Sequence, residues 1–274
     1  MRLLPGAVEV MALHDAELPQ MDYLCGCFWA TLALRRHGFA QVTQDDVGVR
    51  AGSSLSNVPD PESFPPGEPG RRDYRHELPT LAPAISGTAP SGLVRAVPAI
   101  SAGAVEAVPV RGPFATDDLR RLFEAVLELD RPVLVSLNVA TRFFWGARPL
   151  PRTLVEYLAT GDDAGGPPPD WDVGHLVGAF GLIEGARGML VLVGDTYRSL
   201  GANATYLQPI ERVAAALRRD GLEIDDPLAS HSDVQALAEH RQAVPRPLPG
   251  ADDEFAGPDR AVVGGAQHDL AASS

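Results

Sequence analysis

From Gly26 to His37 the chain carries no proline, and the run Phe28-Trp29-Ala30-Thr31-Leu32-Ala33-Leu34 is apolar almost all round. A helix that is apolar on every face is a buried helix, because each face needs a covering element. The first forty residues therefore call for a fold with a helix inside it. Gly38 is placed to terminate that helix. Thr43 followed by Asp46 reads as a capping-box start for a short second helix to about Ala51.

The later elements read more conventionally. Thr116, Asp117 and Asp118 open an amphipathic helix with Leu119, Leu122, Phe123, Val126 and Leu127 on one face, broken at Arg131-Pro132. Val133 to Val139 is β-branched and bounded by proline, as a buried strand is. His175 to Ile183 and Met189 to Val193 form a predicted hairpin turning around Gly185–Gly188. Pro209 suits the first position of a helix to about Arg219, and a last helix is expected from Ser232 to Val244. Residues 52–115 are punctuated by Pro59, Pro61, Pro65, Pro66, Gly67, Pro69 and Gly70, which predicts a long surface excursion. Within it, the Val/Ile pieces near 93–100 and 104–110 fit two strands or one helix. Residues 161–170 are a further Gly/Asp/Pro loop. With 274 residues, this predicts one domain over 1–244, with the excursion at 52–115. Beyond Pro245 the Pro, Gly, Ala and Asp content predicts a disordered tail over 245–274.

Charge and cysteine content narrow the partners. The 23 basic residues are all arginine, and the net charge is −13. That disfavours a nucleic-acid surface, which needs a concentrated basic patch, and an anionic membrane for the same reason. No stretch reaches the roughly 18 apolar residues of a membrane span. Met1 to Glu17 carries His14, Asp15 and Glu17 and lacks the apolar core of a signal peptide, so the expected location is the cytoplasm. The two cysteines stand two positions apart. That count excludes a disulfide scaffold and leaves free thiols, suited to a nucleophile or to packing.

Cys25 stands where the loop meets the buried helix. A helix N-terminus lowers a thiol pKa through its field and offers unpaired N–H groups to an oxyanion. Gly26 would let a substrate approach the backbone. A nucleophilic thiol also needs a base, usually a histidine oriented by a third polar group. His175 opens one strand of the predicted hairpin and Asp195 ends the other, so antiparallel pairing can bring them together.

The segment from Cys25-Gly26-Cys27 through His37-Gly38 resembles the opening helix of the bacteriocin-processing peptidases, which are papain-like cysteine enzymes. Gly174-His175-Leu176-Val177-Gly178 resembles their Gly-His-apolar strand, and Gly194-Asp195-Thr196 their terminal Asp-Pro, with Thr in place of Pro. Gln20 precedes Cys25 by five positions, one fewer than the family's usual spacing for its oxyanion-hole glutamine. The excursion at 52–115 has no assigned counterpart. Cys27-Phe28-Trp29-Ala30 also resembles the Cys-Trp-Ala of papain-type enzymes, but with Trp29 one position late; the offset from cysteine to Gly38 favours Cys25. The resemblance implies an α+β, papain-like fold, with an N-terminal buried helix packed on an antiparallel sheet and the site between them. It implies Cys25 as nucleophile, His175 as base, Asp195 as its orienting partner and Gln20 as an oxyanion donor.

Trp145, just after a strand, and Trp171, four positions before His175, are candidates for the substrate cleft. The histidines at 14, 37, 76, 231, 240 and 268 lie in polar or terminal contexts and read as surface residues. Zinc is disfavoured by the single residue between the cysteines, and no metal or other cofactor is expected. The expected activity is thiol-dependent cleavage of an amide or peptide bond through an acyl-enzyme on Cys25, with a peptide or small acyl substrate. An acyltransferase or amide-forming enzyme would use the same residues, and a non-catalytic papain-like binding module is the third reading.

Overall fold

The apolar run after Gly26 becomes a central helix because a sheet and three other helices cover it. The computed structural model describes residues 1–112, 114–218 and 261–267. In chain order its first elements are β1 (Arg2–Leu3), α1 (Ala7–Glu17), α2 (Cys25–Arg36), α3 (Gln44–Ala51), β2 (Leu55–Ser56) and β3 (Thr80–Leu81). Next come α4 (Pro90–Ile100), β4 (Val105–Arg111), α5 (Thr116–Leu127), β5 (Val133–Ala140) and α6 (Pro151–Thr160). Last are β6 (Gly174–Glu184), β7 (Met189–Gly194), β8 (Thr205–Pro209), α7 (Ile210–Arg218) and β9 (Ala261–Gln267). The class is α+β. The main sheet runs β4-β9-β5-β6-β7-β8, with β1 also paired to β6. The pairings β5–β6, β6–β7 and β7–β8 are antiparallel, and β9 lies parallel to both of its neighbours, β4 and β5.

Every residue of α2 from Gly26 to Leu34 is buried. Helices α1, α3 and α4 pack against α2, which itself packs on β6. The contact with the sheet depends on small residues beneath a large one. Gly178 of β6 pairs with Gly194 of β7, and the Trp29 ring fills the hollow they leave. A Cβ on Gly178 would stand 2.5 Å from that ring; one on Gly194 would stand 2.4 Å from the Phe180 ring and 3.0 Å from Trp29. The Trp29 indole N–H then donates to the Leu176 carbonyl at 3.0 Å. Gly178→Ala should therefore push Trp29 off the sheet and cost about 1–3 kcal/mol by overpacking. Denaturant unfolding measures this, and a loss under 0.5 kcal/mol would show that the helix–sheet contact is slack.

Several expectations are corrected or completed. The first seventeen residues hold α1, which carries no apolar stripe to announce it. The excursion is only partly irregular: its undecided Val/Ile pieces are a helix, α4, followed by a strand, β4. Helix α6, starting on Pro151, and strand β8 were not anticipated; Pro209 closes β8 and α7 begins one residue later. The stretch read as a tail from Pro245 includes β9, whereas the helix expected over 232–244 lies outside the described residues. Among the described residues no helix is long and apolar enough to cross a membrane.

Candidate active site

Three separate chain segments meet at the start of α2. Cys25 is the first residue of that helix, and the helix has no side-chain cap. Its leading N–H groups are thus left to face whatever occupies the site. His175 is the second residue of β6, and Asp195 directly follows β7. The carbonyl bonded by Trp29 belongs to Leu176, next to His175, so the turn of α2 that follows Cys25 is tied to the strand that carries His175.

His175 is buried, and its Nε2 lies 3.1 Å from Asp195 Oδ1. That carboxylate oxygen also accepts the Thr196 N–H at 2.7 Å, while Oδ2 accepts the Tyr206 hydroxyl at 2.7 Å. With Nε2 engaged, Nδ1 is the ring nitrogen left to interact with the half-buried Cys25 thiol, which lies near enough for the two groups to shift each other's pKa.

The electrostatics follow from this chain. Burial by itself would raise the Cys25 thiol. The hydrogen bond and positive charge of His175, with the N–H groups of Leu176 and Gly26, outweigh it and hold the thiol below its ordinary value. Burial would likewise depress the imidazole, but the Asp195 charge and the hydrogen bonds from Asp195 and Cys25 raise it to about 10. Burial would raise the Asp195 carboxyl; the His175 charge and the donors on it keep it low instead. Thiol, imidazole and carboxylate thus form one electrostatically linked series, Cys25 to His175 to Asp195. Cys27 is the opposite case: burial pushes it up to about 12, and its sulfur rests 3.3 Å from the Ser53 hydroxyl and 3.4 Å from that of Thr88. It is a packing thiol.

Gln20 joins the site through Thr196. The Gln20 N–H donates to the Thr196 carbonyl at 3.0 Å, and the Thr196 hydroxyl donates to Gln20 Oε1. That hydroxyl has one proton, so its 3.3 Å contact with His175 Nε2 is one in which it accepts. A proline after Asp195 would supply neither the N–H nor the hydroxyl. With Oε1 held, the Gln20 amide nitrogen is oriented by the same network and has no hydrogen-bond partner among the described residues.

Aromatic rings surround the histidine. Trp171 lies edge-on to the His175 ring with centroids 5.1 Å apart, and Tyr197 stacks on it at 6.0 Å. Trp145 does not belong here. It is buried in a separate cluster with Tyr157 and Leu190, where its backbone N–H is bound by Gln208 and its indole N–H by the Asp163 carbonyl. The space above Gly26 is filled by Leu93, whose methyl would stand 2.7 Å from an added Cβ, so close packing of α4 accounts for that glycine.

Two functional neighbours were missed from the sequence. His14, read as a surface residue, is buried against Trp29, Phe28 and Phe180, and its Nε2 bonds the Asp195 carbonyl. Burial lowers its pKa, and because a carbonyl can only accept, Nε2–H is the donor in this bond. Tyr206 is the other; its alternate position in β8 carried no signal of a carboxylate partner.

A family model described as a family of unknown function (DUF6885) matches residues 4–242. No curated protein and no solved structure matches the chain.

Proposed function

We propose that this chain, which belongs to the DUF6885 family, is a papain-like thiol hydrolase that cleaves an amide or peptide bond through an acyl-enzyme on Cys25. The observation that carries the reading is the series from the half-buried Cys25 through the buried His175 to Asp195, with the thiol lowered by His175 and the imidazole raised chiefly by Asp195 and further by Cys25. In the first step the Cys25 thiolate attacks the carbonyl carbon and a C–S bond forms. The oxyanion is met by the Cys25 N–H and the Gln20 amide N–H. His175 gives its Nδ1 proton to the leaving nitrogen as the C–N bond breaks, leaving a thioester. Water then gives a proton back to Nδ1 as its oxygen attacks the thioester, and the thiolate departs. Asp195 stabilises the imidazolium throughout. A free, low-pKa thiol works where thiols stay reduced, and this reading places the protein in the cytoplasm.

Iodoacetamide at neutral pH should alkylate Cys25 and spare Cys27, and Cys25→Ala should abolish the labelling. Intact-mass analysis with activated peptide esters and thioesters should then trap an acyl adduct on the wild type alone. Labelling that persists in Cys25→Ala would rule out this nucleophile.

A further inference from the structure

A cleft of about 790 Å³ opens between the Pro-rich segment 59–69 and residues 170–172. Two of its walls are aromatic, Phe64 and Trp171, and both connect to the catalytic imidazole. Trp171 touches the His175 ring directly, and Phe64 meets Tyr197 at 6.2 Å, which stacks on the same ring. The remaining wall is acidic. Among the described residues, five carboxylates line it, those of Asp60, Glu62, Glu68, Asp170 and Asp172, against one guanidinium, that of Arg72. Arg72 is already paired with Asp22 at 2.6 Å.

The carboxylates divide by what holds them. Asp60 takes the Ser63 hydroxyl, while Glu68 takes the Ser199 N–H and Asp170 the Ala147 N–H, each at 2.6 Å. These three maintain the walls. Glu62 is exposed and has no such structural bond among the described residues, and Asp172 is 62% exposed with Arg142 only at 3.7 Å. Among the described residues no three acidic, histidine or cysteine side chains converge as a metal ion requires. A small cation therefore has no cage, but a broad organic cation does have what it needs: π faces to stack on and dispersed negative charge around them.

We propose that this aromatic and acidic cleft is a substrate subsite for a cationic side chain, a guanidinium by preference, carried by the peptide whose carbonyl reaches Cys25. The inference rests on the thiol-hydrolase reading for what happens to the peptide, though not for its binding. It gives the excursion at 52–115 a role, since that segment supplies Phe64 and the carboxylates of Asp60, Glu62 and Glu68.

The test separates binding from chemistry. Acetyl-Ala-Arg-Ala amide and its citrulline counterpart, which has the same shape without the charge, are titrated by calorimetry into the Cys25→Ala protein. The arginine peptide should bind about tenfold more tightly at low ionic strength, and the advantage should fall below about threefold in 0.5 M salt. Glu62→Gln/Asp172→Asn should reduce it in the same way. Equal binding of the two peptides overturns the proposal, as does an arginine preference that the double variant leaves intact. Because the titrated protein lacks the thiol, a cation preference without any alkylation of wild-type Cys25 would uphold the subsite while removing the hydrolase reading.

Discussion

On the proposed thiol-hydrolase reading, replacing His175 with alanine should slow acylation of Cys25 by about a thousandfold or more, the usual range for removing a base that also activates the nucleophile. Two effects act together. The proton shuttle to the leaving nitrogen is lost. The thiol also loses the hydrogen bond and charge that offset its burial, so its pKa should rise above the ordinary value. Iodoacetamide alkylation at pH 7 should collapse and return only in alkaline solution. Removing the ring also leaves the Asp195 carboxylate buried without its cation, a loss of about 3–5 kcal/mol. His175→Gln keeps a donor near Asp195, and its melting temperature separates the chemical loss from an unfolding one. An unchanged alkylation rate in a folded His175 variant would exclude the ion pair.

The wild-type pH profiles follow from the same pair. Alkylation needs only the thiolate, so it should set in below the ordinary thiol range and continue through high pH. On the proposed reading amide cleavage also needs the imidazolium proton, so it should fall as pH rises through about 10. The two alkaline limbs should therefore diverge. Stability has the same sign: the folded-state pKa of His175 is raised from 6.5, so its contribution is complete below that value and is lost as pH rises through about 10.

What was legible in the sequence is what local pattern encodes. The all-round apolar run at 28–34 located α2, and the apolar segments 175–183 and 189–193, joined around Gly185–Gly188, located β6 and β7. Antiparallel pairing then places Asp195 against His175 because chain direction alone brings a strand's end beside its neighbour's start. The pairing of Gly178 with Gly194 beneath Trp29 was not legible, since a glycine in a strand does not name the ring that will cover it. His14 was misread for a related reason. Its neighbours Asp15 and Glu17 mark a polar segment, but the face of α1 that turns inward is set by α2 and β6, more than ten residues away in the chain. Thr196 was visible only as a departure from a proline. Its use, joining Gln20 to His175, depends on three segments meeting and has no local signature.

The second large effect concerns Asp195. In Asp195→Asn the amide oxygen can still accept from His175 Nε2 and the Thr196 N–H, while the new NH2 group faces the Tyr206 hydroxyl oxygen. Shape is kept and charge is lost. With the carboxylate gone, burial acts on the imidazole unopposed by its main counter-charge, so the His175 pKa should drop from about 10. The thiol should rise in turn, because a neutral imidazole stabilises the thiolate less. Alkylation at pH 7 should fall by about ten- to a hundredfold, the energy of one to two pKa units, and the alkaline limb of amide cleavage should move to lower pH. Asp195→Ala is a different experiment: it leaves the donors of His175, Thr196 and Tyr206 without an acceptor and should cost about 3–5 kcal/mol in denaturant unfolding. A folded Asp195→Asn protein that alkylates at the wild-type rate at pH 7 would mean that the thiolate is held by the helix terminus and the N–H groups of Gly26 and Leu176, with the carboxylate serving only to orient the ring.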